Sequence, residues 1–302
     1  MNKSIRQHQT KDGFMLEYSI VGQGEPVLVL HGGHSSCYAE LGSNELAAHH
    51  FSVITPSRPG YGKTSKELGE SLIVACDSYI ELLDELQIPQ VHVIAMSAGG
   101  PSGIHLASRF PDRVRSLVLQ SAVTRCWIKP DDKLYKSAQM LFRPPTEKFV
   151  WAMIRLLNKL FPSFLLSNML PSFTKLPKKK VLPQINNADR RKFKSLIAQQ
   201  RSGHGFLIDL VHTSKDANSA LAAIKCPTLI MHSIHDASVS VDHAYHAKRL
   251  IPNAQLCELD LWGHLIWLGP GAEEMNRQLF SFLEAAKKEM MSQCSQNNLA
   301  SF

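Results

Sequence analysis

A mostly parallel α/β sheet with helices on both faces, interrupted by an inserted helical cap, is the fold this sequence predicts, and three observations predict it. Wholly apolar runs of four to six residues recur along the chain, as strands buried on both faces of a parallel sheet require. Segments of helical periodicity separate them. Between about 123 and 222 the alternation stops, and roughly a hundred mostly helical residues stand in its place.

The elements follow in order. FMLEYSIVGQGEPVLVL (14–30) reads as a strand, a Gly/Pro turn and a short apolar strand that ends at His31, Gly32 and Gly33. Further strands are predicted at FSVITPS (51–57), VHVIAM (91–96), RSLVLQS (115–121), PTLIMHS (227–233) and AQLCELD (254–260). Helices are predicted at SLIVACDSYIELLDEL (71–86), GIHLASRF (103–110) and VDHAYHAKRLI (241–251). The division is a core of 1–122 with 223–302 and a cap of 123–222. Within the cap, KFVWAMIRLLNKLFPSFLLSNMLPSF (148–173) is apolar around most of its circumference, with Lys148, Arg155 and Lys159 on one narrow stripe and Pro162 and Pro171 as breaks. Such a face is buried against the core, lines a cavity or dips into a membrane surface, and the first two are the expected pair. The polar end SQCSQNNLASF (292–302) is expected to fray.

Composition narrows the class. A chain of 302 residues, 44% hydrophobic and 20% charged, with 17 Gly and 16 Pro, is neither collagenous nor disordered. No window is apolar for the length of a membrane span, and MNKSIRQHQTKDG lacks the apolar stretch of a secretory signal, so a cytoplasmic location is expected. Six scattered cysteines with no CxxC pair and no zinc-like spacing read as free thiols, and no metal is expected. Charge is uneven: residues 123–222 hold 18 Lys and Arg against 6 Asp and Glu, a net of +12, whereas the rest of the chain sums to −5. KLPKKK (175–180) and RRKFK (190–194) can attract anionic substrates, lipids or nucleic acid, although a solvated basic face is the simplest account. No aromatic-interleaved basic motif accompanies them, so nucleic-acid binding is not expected.

The chemistry gathers around Ser97. VHVIAM runs into this serine and a helix follows, the setting of a nucleophile on a sharp strand-to-helix turn, with Ala95 and Gly99 as the small flanking residues. A hydroxyl needs a base, and the base an orienting acid. Asp236 follows one late strand and His264 the next, both where the carboxyl ends of parallel strands place ligand sites. His235 competes as the base but precedes the last strand. Asp242 and Asp260 compete as the acid, Asp242 being expected to cap its helix. His49, His50, His105, His243 and His246 on helices, and His92 and His232 in strands, are expected to be surface or satisfied core residues. Oxyanion donors are expected from the N–H groups of Ala98 and Gly33, with Gly32 as the alternative. Leu265, Ile266, Trp267 and Trp151 are candidates for pocket lining or core.

VLVLHGG, SRPGYGKTS, VIAMSAGG, LIMHSIHDASV and WGHL together make the chain resemble the α/β-hydrolase superfamily, in particular its serine-nucleophile, cap-containing members. The resemblance covers nearly everything outside the cap. It departs at Ala95, where glycine is usual, and at Ser57, where an acidic residue often precedes the arginine; Arg58 and Gly60 are taken as structural. It implies a hydrolase with a Ser97–His264–Asp236 site, no metal or organic cofactor, and a helical cap over an apolar pocket for a small-molecule substrate; the basic charge of the cap adds the expectation that this substrate can be anionic. Carboxylic ester cleavage is the expected reaction. C–C bond hydrolysis and proline-iminopeptidase-like activity are alternatives, the latter opposed by the basic cap, and a non-catalytic ligand-binding receptor is the alternative of another class. A serine rather than an aspartate at 97 argues against a haloalkane dehalogenase.

Overall fold

A computed structural model describes residues 3–299, with side chains described to Lys287. Eight strands form one sheet: β1 (Ser4–Gln9), β2 (Met15–Val21), β3 (Glu25–Leu30), β4 (Phe51–Pro56), β5 (Val91–Met96), β6 (Val114–Gln120), β7 (Thr228–Ser233) and β8 (Ala254–Leu259), in the order β1-β2-β4-β3-β5-β6-β7-β8. β1 and β2 run antiparallel to their neighbours, and the strands from β4 to β8 in that order are parallel. The apolar runs explain the centre of the sheet, since every residue of β5 and of β7 is buried.

The helices α1 (Ser43–Ala48), α2 (Leu72–Glu85), α3 (Gly100–Arg109), α11 (Asp242–Leu250) and α12 (Ala272–Leu299) connect or follow the strands. Between β6 and β7 lie α4 (Lys133–Phe142), α5 (Thr146–Leu160), α6 (Pro162–Phe173), α7 (Lys178–Val181), α8 (Asn187–Gln199), α9 (Gly205–His212) and α10 (Asn218–Ala222). Two apolar cores flank the sheet. One packs Tyr79, Leu82 and Ile104 of α2 and α3 against Leu28, Leu30 and Leu117. The other packs Leu279 and Leu283 of α12 and Leu165 and Leu170 of α6 together with Val29, Ile94 and Val118.

Several expectations need correction. Pro162 does separate α5 from α6, as the first residue of α6, where a missing N–H costs nothing, but Pro171 lies inside the last turn of α6 and does not end it. The broad apolar face of α5 is buried on one side alone: Trp151 is 3% exposed, whereas Phe149 is 73% exposed, and Met153, Leu156 and Leu160 share its outward face. Asp242 is the first residue of α11 rather than its cap, and its carboxylate accepts from the Ser240 hydroxyl. His49 and His50 fall just past α1. The polar strand β1 and the helix α12 lie outside the predicted elements. The polar end 292–302, expected to fray, instead continues α12 as far as Leu299, and residues 300–302 lie outside the described residues.

Candidate active site

The turn that carries Ser97 is built by sterics. β5 ends at Met96, Ser97 takes the left-handed value φ 49°, and a single 3-10 turn, Ser97–Gly99, leads into α3. A non-glycine residue there is strained, as expected of a side chain thrust out of a sharp bend. A Cβ on Gly99 would lie 2.3 Å from the Leu30 carbonyl oxygen, so nothing larger than glycine fits two residues on. Two residues before, Ala95 is accommodated because it faces Gly103 of α3, where an added Cβ would come within 2.5 Å of the Ala95 methyl.

Asp236 follows β7 and His264 follows β8; His264 reaches Ser97, and Asp236 reaches the far side of the His264 ring. His264 Nε2 lies 3.0 Å from Ser97 Oγ, and Nδ1 lies 2.7 Å from Asp236 Oδ2. An ionised carboxylate only accepts, so the ring proton sits on Nδ1 and the Nε2 lone pair faces the hydroxyl. Asp236 is fully buried, and its Oδ1 accepts the N–H groups of Ser238 and Val239 at 2.8 Å each. Burial opposes its ionisation, but the imidazole of His264 and the hydrogen bond from His232 outweigh that and hold the carboxyl below its usual range. The competitors are accounted for elsewhere: His235 Nε2 pairs with the exposed Asp260 at 2.9 Å.

The loop after β3 faces Ser97. A Cβ on Gly32 would sit 3.1 Å from Ser97 Cβ, and one on Gly33 would sit 3.9 Å from the Ala98 methyl and 3.5 Å from Phe206. The next N–H, that of His34, is already taken by the Tyr61 hydroxyl at 3.2 Å. The His34 ring stacks on Phe206 at 4.0 Å and lies against Phe142 and Trp151, and this desolvation pushes its pKa down to about 3. α4, α5 and α9 therefore supply an aromatic wall beside the loop. Leu265 and Ile266 are buried in the core behind β8, and Trp267 lines a surface hollow with Glu40, Arg191 and Lys192, away from Ser97.

Two supports of this geometry come from residues that spacing alone does not mark. Arg58 Nε donates to the His31 carbonyl at 2.6 Å, while its guanidinium forms a bidentate pair with Asp209 of α9 at 2.5 and 2.8 Å. Tyr61 also donates to Asp209, at 2.6 Å. The Arg58 N–H donates to His31 Nε2, which fixes the His31 proton on Nδ1 and its bond to Gly32 O. Where an acid often precedes the arginine, Ser57 instead donates to Glu17, a buried carboxylate delivered from β2. The second support is the end of α6. The Phe173 carbonyl accepts from His264 N at 2.8 Å and from Ala237 N at 3.3 Å, and Thr174 bridges to Asp236. His232, expected to be a surface or satisfied core histidine, is buried with Nε2 2.8 Å from the Val239 carbonyl oxygen, and the same nitrogen lies 3.2 Å from Asp236 Oδ2, four residues on. An i, i+4 pair at a strand's end carries no periodic signal. Among the described residues no group of three or more His, Cys, Asp or Glu is arranged to hold a metal.

Comparison with known proteins agrees with the fold. The family described as alpha/beta hydrolase fold matches residues 25–269. The chain is 52% identical over 276 residues to the uncharacterized hydrolase YcgS of Bacillus subtilis, covering 91% of this chain and 97% of that protein. It is 28% identical over 297 residues to a 2-hydroxy-6-oxononadienedioate/2-hydroxy-6-oxononatrienedioate hydrolase of Cupriavidus pinatubonensis, covering 90% and 93%. An alpha/beta hydrolase fold protein from Nakamurella multipartita superposes with a TM-score of 0.80 at 27% identity, covering 93% of this chain and 99% of that one. With the family match spanning most of its length and its parallel strands delivering their loops to one edge of the sheet, the chain belongs to the alpha/beta hydrolase fold family.

Proposed function

We propose that the protein is a serine hydrolase that cleaves a small or medium carboxylic ester through an acyl-enzyme, with residues 123–222 acting as a cap over the site. The observation that carries this reading is the unbroken relay from Ser97 through His264 to Asp236, at 3.0 and 2.7 Å. In this mechanism His264 Nε2 takes the Ser97 proton as Oγ attacks the ester carbonyl, and Asp236 stabilises the imidazolium that forms. The N–H groups of Gly33 and Ala98 bind the tetrahedral oxyanion, each worth on the order of 10² to 10³ in rate. His264 then protonates the departing alcohol and activates the water that releases the acid. No organic cofactor enters any step.

The aromatic wall of Phe142, Trp151 and Phe206 favours an apolar acyl group. Arg58 is paired with Asp209 and the half-exposed Arg201 with Glu147, so both cations already have a counter-charge. C–C bond hydrolysis is the second reading, favoured by the Cupriavidus relative, whose name specifies dienedioate substrates. The two separate in one comparison of p-nitrophenyl esters of increasing chain length with a 2-hydroxy-6-oxo-dienedioate. Ester turnover should dominate and should fall by about 10⁴-fold or more in Ser97→Ala. Faster loss of the dienedioate chromophore than of any ester would move the assignment to C–C cleavage. Substrate binding with no Ser97-dependent turnover of either class would make the chain a receptor.

A further inference from the structure

We propose that the outer face of α4, α5 and α6 docks on an anionic lipid surface. Phe149, Met153, Leu156 and Leu160 recur at helical spacing on one side of α5, so their side chains form a continuous stripe. All four are more than half exposed or nearly so, at 73%, 58%, 50% and 56%. Leu134 of α4 and Phe164 of α6 extend it on the two neighbouring helices, at 64% and 61% exposed. Both neighbours pack against α5, so the stripe is flanked by two helices that themselves carry exposed apolar side chains. Soluble surfaces seldom expose contiguous apolar area of this kind without a partner.

Charge identifies the partner. Lys148, Arg155 and Lys159 recur along the edge of the same helix, and Lys133 and Lys136 stand on α4. Between 133 and 173 the sequence holds a single acidic residue, Glu147, and it is buried and paired with Arg201. An apolar stripe bordered by uncompensated cations matches the boundary between acyl chains and anionic headgroups. It matches a second copy of the chain poorly, because pairing through this face would bring two basic layers together. No helix among the described residues is long and apolar enough to cross a membrane, so the contact is one of lying on the surface. The inner side of α5 places Trp151 beside the loop of Gly33, but the docking proposal does not depend on how Ser97 is read.

The test is flotation of the full chain with vesicles of phosphatidylcholine alone and of phosphatidylcholine containing phosphatidylglycerol. The protein should float with the anionic vesicles alone and be released by rising salt. Phe149→Ser with Leu156→Ser should weaken binding at least about tenfold, and so should Lys148→Glu with Lys159→Glu. Circular dichroism and thermal unfolding establish that both variants are folded, as exposed positions should allow. Absence of flotation, equal flotation with neutral vesicles, or full retention by either variant overturns the proposal. So does a concentration-dependent dimer that the apolar variant abolishes without any vesicle binding, which would make a second copy the occupant.

Discussion

His264 is held from three directions: Asp236 accepts the hydrogen bond from its Nδ1–H, Phe173 accepts its backbone N–H, and Ser121 donates to its carbonyl at 2.9 Å. The preceding residue must be glycine, because a Cβ on Gly263 would lie 2.3 Å from the same Phe173 carbonyl oxygen. Gly263→Ala should therefore displace carbonyl and imidazole together and lower kcat by about 10- to 100-fold, the cost of an ångström-scale misplacement. A steady-state measurement with kcat unchanged would show that the loop relaxes without moving the ring. Asp236→Asn removes the acceptor that fixes the tautomer and should lower kcat by ~10³ to 10⁴, with thermal stability checked in the same preparation. The Ser97 and Asp236 positions were legible because each follows a wholly buried strand, and His264 because it follows the last strand in the chain. His232 and Phe173 were not, since their roles arise from where two loops meet.

At the scale of elements, the Arg58–Asp209 pair ties α9 to the loop of Gly33. Both side chains are about 4% exposed, so neither charge has water to fall back on. Asp209→Asn leaves the guanidinium without its counter-charge and should cost about 3–5 kcal/mol of unfolding free energy, whereas Arg58→Met with Asp209→Leu should recover most of that loss. Chemical denaturation of both variants checks this; equal losses in the two would mean that packing rather than charge sets the cost. Buried imidazoles on other elements set the acid limit of stability. His243 Nδ1 accepts the N–H groups of Thr124 and Arg125 at 3.1 and 3.3 Å, so the ring must be unprotonated there, and burial, with nearby charge, lowers its pKa to about 4. His92, inside β5, is likewise lowered to about 4 by burial. In the unfolded chain both titrate near 6.5, so unfolding takes up protons below that value. Stability is complete above about pH 6.5 and falls toward pH 4, with each histidine contributing up to ~1.4 kcal/mol per pH unit. His243→Asn keeps an acceptor without the titration, and its unfolding free energy should fall less steeply over that window; an unchanged slope would acquit this residue.

Across the whole molecule, the central strands were legible as apolar runs because a sheet covered on both faces leaves no polar alternation. β1 escaped for the opposite reason: SIRQHQ is an edge strand with five of its six residues exposed. α12 could have been found, since Met275, Leu279, Phe282, Leu283 and Ala286 are buried at helical spacing. The orientation of α5 could not, because a helix apolar nearly all round does not say which side meets the protein. What the parallel sheet achieves is convergence, as the loops after β3, β5, β7 and β8 bring Gly33, Ser97, Asp236 and His264 to its carboxyl edge.

Intact-protein mass spectrometry after brief exposure to a fluorophosphonate tests that convergence most directly. One phosphonyl group per chain should form within minutes, map to the peptide containing Ser97, disappear in Ser97→Ala, and form on the order of 10³-fold more slowly in His264→Ala. A wild-type chain that stays unmodified, or one that His264→Ala leaves equally reactive, would contradict an activated serine at this site.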